Sequence, residues 1–286
     1  MISEKEQVPS SPSDRFLHNG EKTSADERKV YPDLQSRSLW GAGGAIIFLG
    51  AILAPAPFPL IFFCFLTFLA FVEFSSLIYA FSRHSFAIRP LGAALLAGMG
   101  GGVLALWEHQ IGTVSMILLT GITLWLTIRS EHPFPGYVFL IVSGFVSALV
   151  LRHSYGRFEL LIPVFCTWAA DIGAYFFGIR WGTRPFSPAL SPKKTWEGYW
   201  GGVVIALGAG LILGLSRGRL LFGILSGAVA GLAGPFGDIA ESRLKRLSGR
   251  KDSGLFLPGH GGCLDRFDAF FVNTALLLGL ARLIGI

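Results

Sequence analysis

Apolar residues occur along this chain in long continuous runs, and short polar or proline-rich stretches separate one run from the next. A hydrocarbon core about 30 Å thick requires roughly 20 apolar residues in helical conformation. Nine runs approach or meet this requirement, at residues 39–55, 60–80, 91–107, 114–128, 137–151, 159–178, 199–215, 220–240 and 268–286. The pattern predicts an all-α polytopic integral membrane protein with about nine transmembrane helices, of which 114–128 and 137–151 are short enough to be re-entrant.

The composition agrees with this architecture, because 52% of the 286 residues are apolar and only 15% are charged. The mean hydropathy of +0.57 is too high for an ordinary soluble protein. Residues 1–38 hold 7 of the 18 acidic and 6 of the 24 basic residues. We expect a disordered cytoplasmic tail at 1–38, N-terminal transmembrane helices at 39–158 and a C-terminal transmembrane region at 159–286, where the candidate catalytic residues lie. The three cysteines lack CxxC spacing and indicate neither a disulfide framework nor a zinc knuckle.

The positions of lysine and arginine predict the orientation, since basic loops are retained in the cytoplasm. With the N-terminus inside, the inner segments hold 19 of the 24 basic residues and the outer segments hold 4. This bias predicts that the N-terminus lies in the cytoplasm, and we expect a multi-pass protein of the inner, cytoplasmic membrane. Its two long polar loops, 179–198 and 241–267, would face the cytoplasm, and its C-terminus would lie outside.

Acidic residues cluster near the end of the chain, where five of the eleven outside the tail occur: Asp238, Glu241, Asp252, Asp265 and Asp268. On a helix, Asp265 and Asp268 share one face, and Asp238 shares another with Ser242 and Lys245. Carboxylates at membrane helix ends usually mark function, and Mg²⁺ prefers such oxygen ligands together with water and substrate phosphate. The nearby cations suited to phosphate are Lys245, Arg246, Arg250, Lys251 and Arg266. A solvated loop obeying the positive-inside rule explains Arg250 equally well, but it does not explain the acids.

The loop at 179–198 carries a second candidate phosphate site, formed by Ser191, Lys193, Lys194 and Thr195. Two lysines followed by a hydroxyl are suited to phosphate, although the spacing of a Walker A loop is absent. The glycines at 259, 261 and 262 surround His260 and would let backbone N–H groups approach an anion.

Two further acids lie inside predicted spans. Asp171, with Tyr175 one turn later, is either functional or hydrogen-bonded to a neighbouring helix, and these explanations carry equal weight. Glu73 is isolated from every motif and receives no assignment.

The segment from Ser242 to Asp268, SRLKRLSGRKDSGLFLPGHGGCLDRFD, resembles the signature of the phosphatidate cytidylyltransferase (CDP-diacylglycerol synthase) family. The segments DIGAYFFG and SPKKTWEG resemble the same family in order and spacing, so the likeness covers roughly residues 165–286. Two departures are Cys263, where an aliphatic residue is common, and the Pro235-Phe236 pair before Gly237. Neither departure touches a proposed ligand.

This resemblance implies transfer of a cytidylyl group from CTP to phosphatidate, giving CDP-diacylglycerol and pyrophosphate. It implies a Mg²⁺ centre, with room for a second metal ion, on Asp238 and Asp265. The residues then assigned to catalysis are Asp238, Lys245, Asp265, Arg266 and Asp268. Those assigned to substrate binding are Ser191, Lys193, Lys194, Thr195, Ser242, Arg246, Lys251, Asp252, His260, Gly261 and Gly262. The expected partners are CTP, phosphatidate and the lipid bilayer, and no nucleic acid is expected. The sequence leaves open whether the protein forms a homodimer.

Two other functions stay open at this point. A polytopic transporter would carry its acids near the bilayer midplane, commonly in two related halves, whereas here they cluster in one half. A CTP-dependent prenol kinase is the nearest enzymatic alternative, and it would release CDP instead of pyrophosphate.

Overall fold

The computed structural model describes residues 39–81, 110–130, 133–254 and 261–286. This part of the chain forms helices and one small sheet. The helices are α1 (Leu39–Leu53), α2 (Phe58–Phe81), α3 (Gln110–Arg129), α4 (Phe134–Tyr155), α5 (Leu161–Trp181), α6 (Trp196–Ser216), α7 (Leu220–Leu232), α8 (Gly234–Leu247) and α9 (Leu264–Ile284). The strands are β1 (Pro185–Ser187) and β2 (Ser191–Thr195).

Seven apolar helical segments in the described residues are long enough to cross a membrane, counting α7 and α8 together as one segment of 28 residues. This confirms the all-α polytopic membrane architecture. Helices α3 and α4 have 20 and 22 residues. Both are longer than the predicted spans at 114–128 and 137–151, which are short enough to be re-entrant. The predicted tail at 1–38 and the predicted span at 91–107 lie outside the described residues.

Two predicted spans differ from the observed helices in ways that matter for the site. The span predicted at 220–240 is two helices, because Pro235 follows Gly234 in the first turn of α8 and cannot continue α7. The last helix begins at Leu264, four residues before the predicted start at 268, so Asp265 and Asp268 both lie in its first turns.

The polar loop at 179–198 folds into an antiparallel hairpin, in which Pro185 faces Thr195 and Ser187 faces Ser191. The Thr195 hydroxyl accepts a hydrogen bond from the backbone N–H of Gly198 at 3.2 Å and caps α6. The Glu197 carboxylate accepts from the backbone N–H groups of Thr183 and Arg184, at 3.1 and 3.2 Å. The hairpin is therefore held to the N-terminal end of α6.

Helix α9 lies at the centre of the bundle and packs against α3, α4, α7 and α8. A methyl group added at Gly144 of α4 would lie only 2.5 Å from the Cα atom of Phe271, so the two backbones are in direct contact. The Asn273 amide donates to the Thr167 hydroxyl of α5 at 2.9 Å, a buried hydrogen bond between helices. These contacts set the position of α9 within the bundle.

Candidate active site

Three carboxylates meet where α8 and α9 cross. Asp238 and Glu241 lie one turn apart on α8, Asp268 lies on α9, and one oxygen from each is within 4.8 Å of the other two. Gly237 permits this approach, because a methyl group there would collide with the backbone carbonyl of Asp268. We refer to Asp238, Glu241 and Asp268 as the carboxylate cluster.

The carboxylate cluster contains a buried oxygen that no described residue satisfies. Glu241 is 1% exposed, and its Oε1 atom accepts no hydrogen bond from the described residues, while Oε2 accepts from the Lys245 ammonium at 2.6 Å. An unpaired buried carboxylate oxygen is costly unless a cation compensates it. Three carboxylates with one such oxygen fit a hard divalent cation.

Lys245 forms a buried ion-pair bridge beside the cluster. Its ammonium donates to Glu241 and to Asp265, at 2.6 Å each, and its side chain is 11% exposed. The other Asp265 oxygen accepts from the backbone N–H of Ser253 at 2.9 Å, the Ser253 hydroxyl at 2.8 Å and the backbone N–H of Gly262 at 2.7 Å. The structure therefore separates Asp265 from the carboxylate cluster by one lysine, and its assignment as a metal ligand beside Asp238 stays a prediction.

The two polar loops singled out in the sequence meet at Asp238. The ammonium of Lys194, on β2, forms an ion pair with Asp238 Oδ2. The Ser242 hydroxyl donates to Asp238 Oδ1 at 3.1 Å. Lys193 precedes Lys194 on β2 and is exposed, and Ser191 pairs with Ser187 at the other end of the hairpin.

The remaining predicted site residues lie farther along the chain from the cluster. Arg246, Lys251 and Asp252 are exposed at and beyond the end of α8. Gly261 has a left-handed backbone, with φ of +81°, which favours glycine. His260 lies outside the described residues.

An apolar cavity of about 630 Å³ opens beside the first turns of α9 and is bounded by α1, α2 and α5. Its walls carry several aromatic rings: Phe48, Phe62, Phe65, Trp168, Phe267 and Phe270. Four charged residues also line it: Asp171, Asp265, Arg266 and Asp268. A cavity with apolar walls and a few charged groups suits a ligand with an apolar body and a charged head.

The sequence alone did not assign two carboxylates that belong to this region. Glu241 was noted among the acids but received no role, although its spacing of three residues from Asp238 places both on one face of α8. Glu73 of α2 accepts hydrogen bonds from the backbone N–H groups of Cys263 at 2.8 Å and Leu264 at 3.0 Å. The available signal for Glu73 was its position as a lone acid inside an apolar run.

Cys263 lies directly before α9 and is buried. Burial raises the pKa of the Cys263 thiol, which keeps it protonated at neutral pH. The thiol is therefore unsuited to act as a nucleophile, and the side chain fills space against α2.

Comparison with known proteins adds an independent finding. The family model of the Cytidylyltransferase family matches residues 35–284. The phosphatidate cytidylyltransferase of Bacillus subtilis is 30% identical, over 87% of this chain and 98% of that protein. The enzyme of the same name from Staphylococcus saprophyticus is 34% identical over 60% of this chain and 70% of its own length. That of Haemophilus influenzae is 44% identical over 40% of this chain and 42% of its own length.

Proposed function

This chain belongs to the cytidylyltransferase family, and on that premise we propose that it transfers the cytidylyl group of CTP to phosphatidate, giving CDP-diacylglycerol and pyrophosphate. One observation carries the proposal beyond the family: Asp268 belongs both to the carboxylate cluster and to the wall of the apolar cavity. A membrane lipid and a polyphosphate could therefore meet at a single residue. The enzyme is a nucleotidyltransferase of phospholipid biosynthesis.

The two substrates place different demands on the site. The acyl chains of phosphatidate require an apolar space that is continuous with a polar one, as the cavity beside α1, α2 and α5 provides. The triphosphate of CTP requires cations, and Lys194 stands at the cluster, where it neutralises Asp238. Arg266, from the charged part of the cavity wall, is a candidate contact for the phosphate of the lipid.

The reaction needs little covalent chemistry from the protein. An oxygen of the lipid phosphate, already anionic, attacks the α-phosphorus of CTP, and the bond from that phosphorus to the pyrophosphate oxygen breaks. No proton has to be removed from the attacking group, so neither a serine nor a strong general base is required. Positioning and charge stabilisation carry such a displacement.

We propose Mg²⁺ as the cation of the site, held by Asp238, Glu241 and Asp268. When bound, Mg²⁺ supplies neutralisation of charge on the phosphate oxygens and on the leaving pyrophosphate. Asp265 stays a predicted ligand that would have to exchange Lys245 for the metal. In the arrangement described above, Asp265 orients Lys245, which in turn balances the charge of Glu241.

We also propose the orientation inferred from the basic loops, with the N-terminus and the active site at the cytoplasmic face of the inner membrane. CTP is then available on the side where Lys194 and the carboxylate cluster lie. The division into an N-terminal helical part, 39–158, and a catalytic part, 159–286, belongs to the same proposal.

Purified protein in detergent, supplied with phosphatidate, labelled CTP and Mg²⁺, tests the function. We expect label in the lipid, one pyrophosphate per labelled lipid, and loss of both on chelation by EDTA or in Asp268→Asn. Glu159→Gln is the control, because Glu159 is a buried acid that pairs with Arg217 at 3.0 Å and belongs neither to the carboxylate cluster nor to the cavity wall. Release of CDP with a phosphorylated acceptor would indicate a kinase. Unlabelled lipid from folded protein would overturn the proposal.

A further inference from the structure

Helix α9 begins without a capping side chain of its own. The first N–H groups of a helix have no partners within the helix, and Cys263, at the N-cap position, makes no side-chain cap. Glu73 of α2 takes this place: Oε1 accepts from the Cys263 N–H at 2.8 Å, and Oε2 accepts from the Leu264 N–H at 3.0 Å. A carboxylate there also complements the positive end of the helix dipole. The cap is thus supplied by a residue 190 positions earlier in the chain.

The same carboxylate is connected to Asp265 through one hydroxyl. The Ser253 Oγ atom lies 3.1 Å from Glu73 Oε2 and 2.8 Å from Asp265 Oδ2. Because a serine hydroxyl has a single hydrogen, it donates to one carboxylate at a time. Glu73 is therefore one side chain away from the ion pair between Asp265 and Lys245.

Two glycines pack closely against the Glu73 carboxylate. A methyl group added at Gly254 would lie 2.5 Å from Glu73 Oε1, and one added at Gly262 would collide with Oε2. Both ends of the segment between Ser253 and Cys263 are thus packed directly on this carboxylate. One side chain of α2 therefore contacts both the start of α9 and the end of the preceding segment.

We propose that Glu73 is a positioning residue for the carboxylate cluster. It holds the first turn of α9 against α2, so that Asp265 meets Lys245 and Asp268 meets Asp238 and Glu241. The cation in this inference rests on the proposed function, whereas the position of α9 does not. Groups that orient metal ligands typically change metal affinity or activity about 10- to 100-fold when they are replaced.

The test compares full-length wild type with Glu73→Gln in detergent, and Mn²⁺ binding measured by electron paramagnetic resonance is the first readout. Glutamine retains the shape but replaces one oxygen by an amide NH₂ group, so either the Cys263 or the Leu264 N–H loses its acceptor. We expect Mn²⁺ to bind about 10- to 100-fold more weakly to the variant. Glu159→Gln should bind Mn²⁺ as the wild type does. Glu73→Asp retains the charge on a shorter side chain, so its Mn²⁺ affinity should lie between those of the wild type and Glu73→Gln.

A purely structural role for Glu73 gives a different result. It would lower the unfolding temperature but leave the Mn²⁺ affinity of the folded molecules unchanged, and that outcome overturns the inference. If Glu73→Gln yields no folded protein, Glu73→Asp decides: weaker Mn²⁺ binding supports the inference and unchanged binding overturns it. Wild type that binds no Mn²⁺ also overturns it. Wild type that binds Mn²⁺ but forms no cytidylyl lipid removes the proposed function and leaves the comparison at Glu73 valid.

Discussion

The contact between α8 and α9 at Gly237 offers a direct test of the carboxylate cluster. In Gly237→Ala the new methyl group would collide with the carbonyl oxygen of Asp268 and lie 3.0 Å from its carbonyl carbon and 3.2 Å from the Cα atom of Ala269. These atoms belong to the backbone of a central helix and cannot rotate away. The two helices must therefore separate, by about 1 Å at the carbonyl, to restore ordinary contact.

That separation acts on the atoms that the proposed reaction depends on. Asp238 follows Gly237 directly, so Asp268 moves away from both Asp238 and Glu241. A displacement of about 1 Å can reduce the rate of a positioned reaction roughly 100-fold, and overpacking of this kind costs about 1–3 kcal/mol of stability. We therefore expect kcat/KM to fall by about two orders of magnitude in protein that still folds.

The assay is formation of labelled CDP-diacylglycerol, with the unfolding temperature in the same detergent measured alongside. Gly208→Ala is the control, because a methyl group at Gly208 on α6 meets no atom within 4 Å. We expect the control to retain wild-type activity and to be slightly more stable, since alanine favours the helix over glycine. Folded Gly237→Ala protein with wild-type kcat/KM would refute the argument that this helix crossing sets the geometry of the site.

Two lysine variants test the charges around the cluster. Lys245→Met leaves Glu241 and Asp265 buried without their shared cation, so we expect the free energy of unfolding to fall by about 3–5 kcal/mol. The unfolding temperature should fall accordingly, and the double variant Lys245→Met/Glu241→Gln should partly restore it. An unchanged unfolding temperature in the single variant would contradict this. Lys194→Met removes the cation that occupies Asp238, so Mn²⁺ should bind more tightly while kcat/KM for CTP falls about 10- to 100-fold, as expected for losing a charged contact of about 1.5–3 kcal/mol. A Mn²⁺ affinity that falls together with kcat/KM would contradict competition between Lys194 and the metal.

Helix positions could be predicted from the sequence because hydropathy is a local property. The described spans agree with the apolar runs, and the exceptions have local or distant physical causes. Pro235 divides the predicted span at 220–240, and that signal was available in the sequence. The early start of α9 could not be predicted from hydropathy, because the charged residues Asp265 and Asp268 lower the hydropathy of its first turns. The cap of α9 comes from Glu73, which is far away in the chain.

The candidate site was predictable as a set of residues but not as an arrangement. Motif and charge together singled out Asp238, Lys194 and Lys245, and the structure brings these side chains into contact with the carboxylates nearby. The placement of Asp265 beside Lys245, outside the carboxylate cluster, depends on the crossing of α8 and α9. Spacing along α8 places Glu241 on the same face as Asp238, but it cannot reveal the crossing that brings Asp268 of α9 to both of them.

Helix α9 follows in sequence every helix that it packs against. During synthesis, α2, α4 and α5, each of which contacts α9, therefore enter the membrane before it does. Until then Glu73 has no helix end to cap, the Thr167 hydroxyl lacks Asn273, and Gly144 lacks its contact with the backbone of Phe271. Insertion of α9 and assembly of the carboxylate cluster are thus one event, and a nascent chain that stops short of it lacks Asp268 and the helix crossing that brings Asp268 to Asp238 and Glu241.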